Sequence, residues 1–91
     1  MIKKVIKMSA SWCSPCKSYA KTFEEVSKNE DFKDILFEEY DVEENEDLTE
    51  KFGVRSIPTT IFLDENEDKV LMMNGNISKK VLEETIKEQN S

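Results

Sequence analysis

Trp12-Cys13-Ser14-Pro15-Cys16 decides how this chain reads. The stretch holds both cysteines of the protein, two residues apart. At that spacing two sulfurs close a small ring as a disulfide or open as a dithiol. Before it comes a short run, Ile2 to Met8 (Ile2, Val5, Ile6, Met8), too short and too β-branched for a helix, which predicts a buried strand. After it, Tyr19, Ala20, Phe23, Val26 and Ser27 recur at the spacing of an amphipathic helix beginning near Pro15. A proline in the first helical turn gives up only an N–H that would be free anyway. Cys13 therefore falls at a strand-to-helix junction, where free N–H groups and the macrodipole favour an anion. Such a setting pulls a thiol below its ordinary ~8.5 and makes the thiolate available. Cys13 is the expected nucleophile. Cys16, one turn into the helix and more buried, is the expected resolving thiol.

Outward from this stretch the pattern alternates. The first helix is expected to fray near Ser27–Asp31. Ile35 to Val42 predicts a second strand, Glu43–Asp47 an acidic turn, and Asp47–Phe52 a short helix closed by Gly53 at a left-handed position. Val54–Pro58 reads as a loop, and Thr59–Leu63 as a strand by β-propensity. Asp64–Asp68 is a polar turn and Lys69–Met73 the returning strand of a hairpin. Ser78 suits the N-cap of a last helix, with Val81, Leu82 and Ile86 (and Thr85) along one face. The order β-α-β-α-β-β-α predicts an α/β fold: a four-stranded mixed sheet flanked by three helices. At 91 residues, without repeats or linkers, residues 1–91 are expected to form one domain.

Composition narrows the chemistry. Apolar residues make up 37% and charged residues 36%, a polar but foldable balance. The net charge of −7 argues against binding a phosphate backbone, so no nucleic-acid partner is expected. Residues 1–8 lack the 7–15-residue apolar core of a signal peptide, and no stretch reaches the ~20 apolar residues of a membrane span. The chain as given therefore reads as cytoplasmic, unless an export signal has been processed away, and no membrane partner is expected; a monomer is expected as well. The absence of histidine removes the commonest general base, any Cys-His pair and all imidazole metal ligands.

Three separated features coincide: Trp12-Cys13-Ser14-Pro15-Cys16 after the first strand, Phe52-Gly53-Val54-Arg55-Ser56-Ile57-Pro58-Thr59 before the third, and Gly75 before the last helix. With the element order, they resemble the thioredoxin family across nearly the whole chain. The resemblance implies a protein-disulfide reductase cycling between dithiol and disulfide, with no cofactor beyond the Cys13–Cys16 pair and no metal. It implies disulfide-containing protein substrates and a thioredoxin reductase or equivalent. It also implies that the Ile57–Pro58 bond is cis and that its loop lies against the disulfide. The Ile57 backbone would then be free to pair with an extended substrate. Trp12, Pro15, Ile57, Pro58, Thr59 and Gly75 form the expected substrate-binding set, with Trp12 a partly exposed flank. Tyr19, Phe23, Phe37 and Phe62 read as plain core, and the acid run Glu43–Glu50 as solvated surface.

The chain departs from the family pattern in instructive ways. The resemblance starts at the family's central strand, so a compact form without the leading strand and helix of longer members is expected. Ser14-Pro15 stands where Gly-Pro is usual, Lys21 where many members kink the first helix with proline, and the Asp64–Asp68 turn is one residue longer. Many members bury an aspartate beneath the cysteines, with a lysine on the next strand. The matching positions here are Lys7 and Glu39, the charges exchanged. By strand alternation Lys7 shares a face with Val5, and Glu39 with Phe37. A buried pair is one expectation, with Glu39 the candidate base for Cys16 and Lys7 a stabiliser of thiolate; in the other, both side chains merely reach solvent at the sheet edge or ends.

Three other readings compete. A glutaredoxin-like, glutathione-dependent enzyme would show a Gly-rich, acidic signature before the last helix, whereas Asn74-Gly75-Asn76-Ile77-Ser78 has one glycine and no acid. A shared zinc or iron–sulfur site would use Cys-x-x-Cys as half its ligands, but Pro15 and Pro58 oppose it. A non-catalytic interaction module would not need both cysteines.

Overall fold

The computed structural model describes residues 1–91. The elements are β1 (Ile2–Ser9), α1 (Ser14–Ser27), a 3₁₀ turn (Glu30–Phe32), β2 (Leu36–Asp41), α2 (Glu46–Lys51), β3 (Thr59–Asp64), β4 (Lys69–Asn74) and α3 (Lys79–Gln89). The sheet order is β2-β1-β3-β4. β1 pairs with β2 in parallel and with β3 antiparallel, and β3 pairs antiparallel with β4. A parallel pair needs a crossover connection, which α1 supplies. The expected mixed sheet with three helices is the observed one.

The central strands are buried on both faces: β3 is buried from Thr59 to Leu63, and β1 buries Ile2 and then Val5 to Met8, Lys7 included. One face carries Val5 and Phe62 against Tyr19, Phe23 and Val26 of α1 and Leu82 and Ile86 of α3. The opposite face packs Ile6, Met8, Ile61 and Leu63 against Phe52. Burying each large apolar side chain contributes roughly 1.5–3 kcal/mol. That packing, more than helix propensity, holds a 14-residue helix such as α1 in place. The Asn90 side chain closes the chain on itself. Its Oδ1 accepts from the Ile2 N–H at 2.6 Å, and its Nδ2 donates to the Ile2 carbonyl at 3.4 Å.

Two expectations are corrected. Val81 is 39% exposed, while Leu82 and Ile86 are fully buried. Leu82 and Ile86 lie four residues apart on one stripe, and Val81 is rotated well off it. The segment after α1 does not fray: Asn29 Oδ1 accepts from the Asp31 N–H at 2.9 Å, and buried Phe32 anchors the 3₁₀ turn. Elsewhere the element ends differ from expectation by a residue or so. Gly53 follows α2 with φ +66°, as its position requires. No helix is long and apolar enough to cross a membrane.

Candidate active site

The parallel pairing of β1 and β2 brings their carboxyl ends to one edge of the fold, the usual place for a site in such sheets. β1 delivers Ala10 to that edge, and the Cys13 N–H donates back to the Ala10 carbonyl at 3.2 Å. Cys13 has extended backbone (φ −91°, ψ 110°) and serves as the N-cap of α1, with Pro15 in the first turn. Its Sγ accepts from the Cys16 N–H at 3.2 Å. The two cysteines form a disulfide, with their Cα atoms 5.2 Å apart. This is the oxidised form, so Cys13 Sγ stands where a thiolate would meet the helix N-terminus after reduction. Both are buried, Cys13 at 5% exposure and Cys16 at 3%, so burial alone hardly separates them. Their inequality lies in position: Cys13 caps the helix and Cys16 sits inside it.

The opposite wall is the loop before β3. The Ile57–Pro58 peptide bond is cis, as the resemblance implied. The Ile57 carbonyl oxygen lies 3.9 Å from Cys13 Sγ, and Ile57 makes no backbone-to-backbone hydrogen bond. The loop is tied down on its far side. The Gly75 N–H donates to the Pro58 carbonyl at 2.8 Å, with Gly75 at φ +92°. Thr59 Oγ1 lies 2.5 Å from the Ser56 carbonyl and 3.0 Å from Asn74 Oδ1, sharing one proton between two acceptors. Pro58 and Thr59 are buried, and Ile57 is half-buried. Thr59 thus braces the loop from inside, whereas Ile57 faces the disulfide.

Beneath Cys16 a cleft of about 250 Å³ is lined by Lys7, Ala10, Cys16, Lys17, Ala20 and Glu39, among others. Lys7 and Glu39 form an ion pair. Only half of the expected buried pair is buried: Lys7 is 2% exposed, but the Glu39 side chain is 57% exposed. Position explains this, because β2 is an edge strand and β1 is central. The Lys7 ammonium also lies 5.6 Å from the centroid of the Phe23 ring, a favourable seat for a cation.

Trp12 is 65% exposed at the rim. Its indole Nε1–H donates to Glu43 Oε1 at 2.9 Å. Glu43 therefore does more than solvate the surface: it fixes the orientation of the indole. The signal that could have found it was the parallel β1–β2 pairing, which sets the residues after β2 beside those after β1. Val42 was likewise read only as a strand end. With Ile57 it packs against the cluster of Ala10, Cys13 and Cys16. No group of three or more His, Cys, Asp or Glu side chains is placed to hold a metal ion.

Comparison with known proteins agrees with this geometry. The sequence model of the family described as Thioredoxin matches residues 2–88. A rice protein (Oryza sativa subsp. japonica), Thioredoxin H5, is 40% identical over 72 residues, 79% of this chain and 52% of the relative, so the chain spans about half the length of that relative. The thioredoxin of Mycoplasmoides gallisepticum is 38% identical over 87 residues, covering 93% of this chain and 82% of the relative. The crystal structure of Malassezia sympodialis thioredoxin superimposes with a TM-score of 0.86 at 28% identity, over 97% of this chain and 75% of the other. The match decides between the thioredoxin and glutaredoxin-like readings in favour of the first. A family match over almost every residue, a shared fold and a Cys13–Cys16 disulfide capping α1 opposite a cis-proline leave one assignment: the chain belongs to the thioredoxin family.

Proposed function

We propose that this chain is a protein-disulfide reductase cycling between a Cys13/Cys16 dithiol and the disulfide seen here. The single observation that carries the reading is the disulfide at the N-terminus of α1, facing the unpaired backbone of Ile57 beside cis-Pro58. In the reduced protein, Cys13 thiolate attacks one sulfur of a substrate disulfide. A Cys13–substrate mixed disulfide forms, and the other substrate sulfur leaves and takes up a proton. Cys16 then loses its proton and attacks Cys13 Sγ, and the second substrate thiol is released. Two electrons and two protons pass from the Cys13/Cys16 pair to the substrate. A dithiol or a thioredoxin reductase must return them, and no further cofactor or metal enters the cycle.

The substrate is an extended segment of a protein. It lies against Ile57 by strand addition, with Trp12, Pro15, Thr59 and Gly75 shaping or bracing the surface. Glu39 accepts the Cys16 proton and passes it to water, because its carboxylate reaches both the cleft and solvent. Lys7 favours the Cys16 thiolate electrostatically. The chain works as a single domain and a monomer in the cytoplasm, where a reducing poise sets the direction. The test is reduction of insulin disulfides by dithiothreitol with catalytic amounts of this protein. Wild type accelerates the reaction and Cys13→Ser does not. A wild-type rate no greater than that of Cys13→Ser sinks the proposal.

A further inference from the structure

Asn74 is the only asparagine of the chain that precedes a glycine. It is exposed at the end of β4. Glycine has no β-carbon, so the backbone nitrogen of Gly75 is open to its neighbour's side chain. The surroundings are open as well: a β-carbon on Gly75 would have nothing within 4 Å. A side-chain amide beside an unhindered backbone nitrogen can deamidate, and the reaction needs only water. The Gly75 nitrogen, having given its proton to hydroxide, attacks Cγ of Asn74. A C–N bond forms, the Cγ–Nδ2 bond breaks, and ammonia leaves. Water then opens the cyclic imide at either carbonyl, and no electrons change hands. One product is aspartate on an unaltered backbone. The other is isoaspartate, in which the chain runs through the former side chain and gains a backbone atom.

The fold holds both reacting groups. The Gly75 N–H donates to the Pro58 carbonyl at 2.8 Å. Asn74 Oδ1 accepts from Thr59 Oγ1 at 3.0 Å, and Asn74 faces Thr59 across the β3–β4 ladder. Ring closure swings the Asn74 side chain onto its own backbone and takes the Gly75 nitrogen away from Pro58. Both bonds must therefore break first. The same two bonds tie down the loop whose Ile57 carbonyl lies beside Cys13.

We propose that Asn74 is a deamidation site, locked in the native fold by Thr59 and Pro58, and that its isoaspartyl product releases the loop opposite Cys13. Aspartate keeps the acceptor for Thr59 and the length of the backbone, so the tie survives. Isoaspartate moves the Gly75 N–H out of register with Pro58, so the tie is lost. The modification is independent of the reductase reading, and only its effect on turnover rests on that reading.

The first test incubates the protein at mildly basic pH, folded or in urea. Peptide mapping by mass spectrometry follows amide-to-acid conversion at Asn74 and at Asn90, which precedes Ser91. In urea Asn74 converts faster than Asn90, and the reverse order overturns the site. Folded wild type converts Asn74 at least about tenfold more slowly than the chain in urea, because the reaction waits for a local opening. Thr59→Val raises the folded rate by about three- to tenfold, the contribution of one hydrogen bond, and leaves Asn90 unchanged. Equal rates at Asn74 in folded and unfolded chains overturn the lock. So does a Thr59→Val rate that matches wild type, or a rise shared by Asn90. The second test compares Asn74→Asp with the full chain synthesised with isoaspartate at position 74. Hydrogen exchange at the Gly75 amide speeds up by at least about tenfold in the isoaspartyl chain, while the amides of the β1–β3 ladder keep their protection. Asn74→Asp keeps both. Retained protection at Gly75, or loss throughout the sheet, overturns the release. Insulin reduction by the isoaspartyl chain falls by at least about tenfold, as expected for a displaced wall of the site. An isoaspartyl chain as active as wild type overturns the effect on turnover alone. If wild type itself reduces no insulin, the reductase reading falls with that effect, and mass and exchange still judge the site and its lock.

Discussion

Lys7 and Glu39 occupy the same rung of the β1–β2 ladder, and their ion pair runs from the sheet interior to the surface. The two ends are unequal, since Lys7 is buried and Glu39 is half in water. Removing the carboxylate strands a buried ammonium, whereas removing the ammonium leaves a carboxylate that can turn to solvent. Glu39→Gln should therefore destabilise the fold by about 1–3 kcal/mol. Lys7→Met, similar in length and apolar, should be neutral or stabilising. Urea unfolding of both variants checks this, and a Glu39→Gln protein as stable as wild type contradicts it. In the reduced protein Glu39→Gln also leaves an uncompensated cation beside Cys16. That change should lower the Cys16 thiol pKa while slowing the resolving step. Wild-type thiol titration together with wild-type turnover would remove Glu39 from the mechanism.

The positions of Cys13 and Cys16 on α1 predict different fates for their serine variants. Both lose catalysed turnover to background, because each cycle needs two thiols. Only Cys16→Ser keeps the helix-capping thiol, so only it should accumulate a mixed disulfide with substrate. Non-reducing electrophoresis after incubation with an oxidised protein substrate reads the difference. Equal trapping by Cys13→Ser would reverse the assigned roles.

The sequence was most informative where physics acts locally. The apolar run of β1, the stripe of α1 and the glycine after α2 each follow from period, propensity or a required backbone angle. Cys13, Cys16 and Pro58 were legible for the same reason: their chemistry is tied to residue type. Properties set by tertiary neighbours were harder to read. Strand alternation put Lys7 and Glu39 on one face but could not say that β2 is the edge, and the edge is what exposes Glu39. Glu43 was indistinguishable from its acidic neighbours, because its partner Trp12 lies 31 residues away. Val81 misled because a valine beside Leu82 satisfies composition without lying on the stripe.

Lys4 carries a second, surface network on the face opposite α1. Its Nζ lies 2.7 Å from Glu67 Oε1 and 3.6 Å from Glu38 Oε1, and Tyr40 Oη donates to Glu38 at 2.9 Å. The hydrogen bond from Lys4 holds the Glu67 carboxyl below the usual range, and the same bond raises the Lys4 ammonium above its own. The bond to Glu38 likewise raises the Tyr40 phenol. A depressed carboxylate stabilises the fold above its unfolded pKa of ~4.3, and that contribution is lost as pH falls through its folded value. A raised ammonium or phenol contributes below its unfolded value, near ~10, and is lost as pH rises through the folded one. The Tm difference between wild type and Lys4→Met should therefore be greatest between about pH 5 and pH 10 and close on both sides. High salt should shrink it, because these charges are solvent-accessible. A difference independent of both pH and salt would mean that Lys4 contributes only its aliphatic stem.

Tyr19 and Thr60 make the one hydroxyl pair in the core, 2.5 Å apart and fully buried. It joins α1 to β3 one turn beyond Cys16. Tyr19→Phe leaves the Thr60 hydroxyl buried without its partner and should cost about 1–2 kcal/mol. Adding Thr60→Val removes the orphan and should recover much of that loss, because deleting both partners spares the desolvation cost of either. A double variant as unstable as the sum of the singles would show that the two hydroxyls are not coupled. Titration gives an independent check. Burial pushes the Tyr19 phenol up to about 12, with the Thr60 hydrogen bond opposing the shift. The unfolded chain titrates near ~10, so the neutral phenol's contribution is complete below that pH and is lost as pH climbs toward 12. Wild-type Tm should consequently fall more steeply than that of Tyr19→Phe above pH ~10, and the two curves should converge. Parallel curves up to pH 12 would show that Tyr19 ionises as easily in the folded protein as in the unfolded chain.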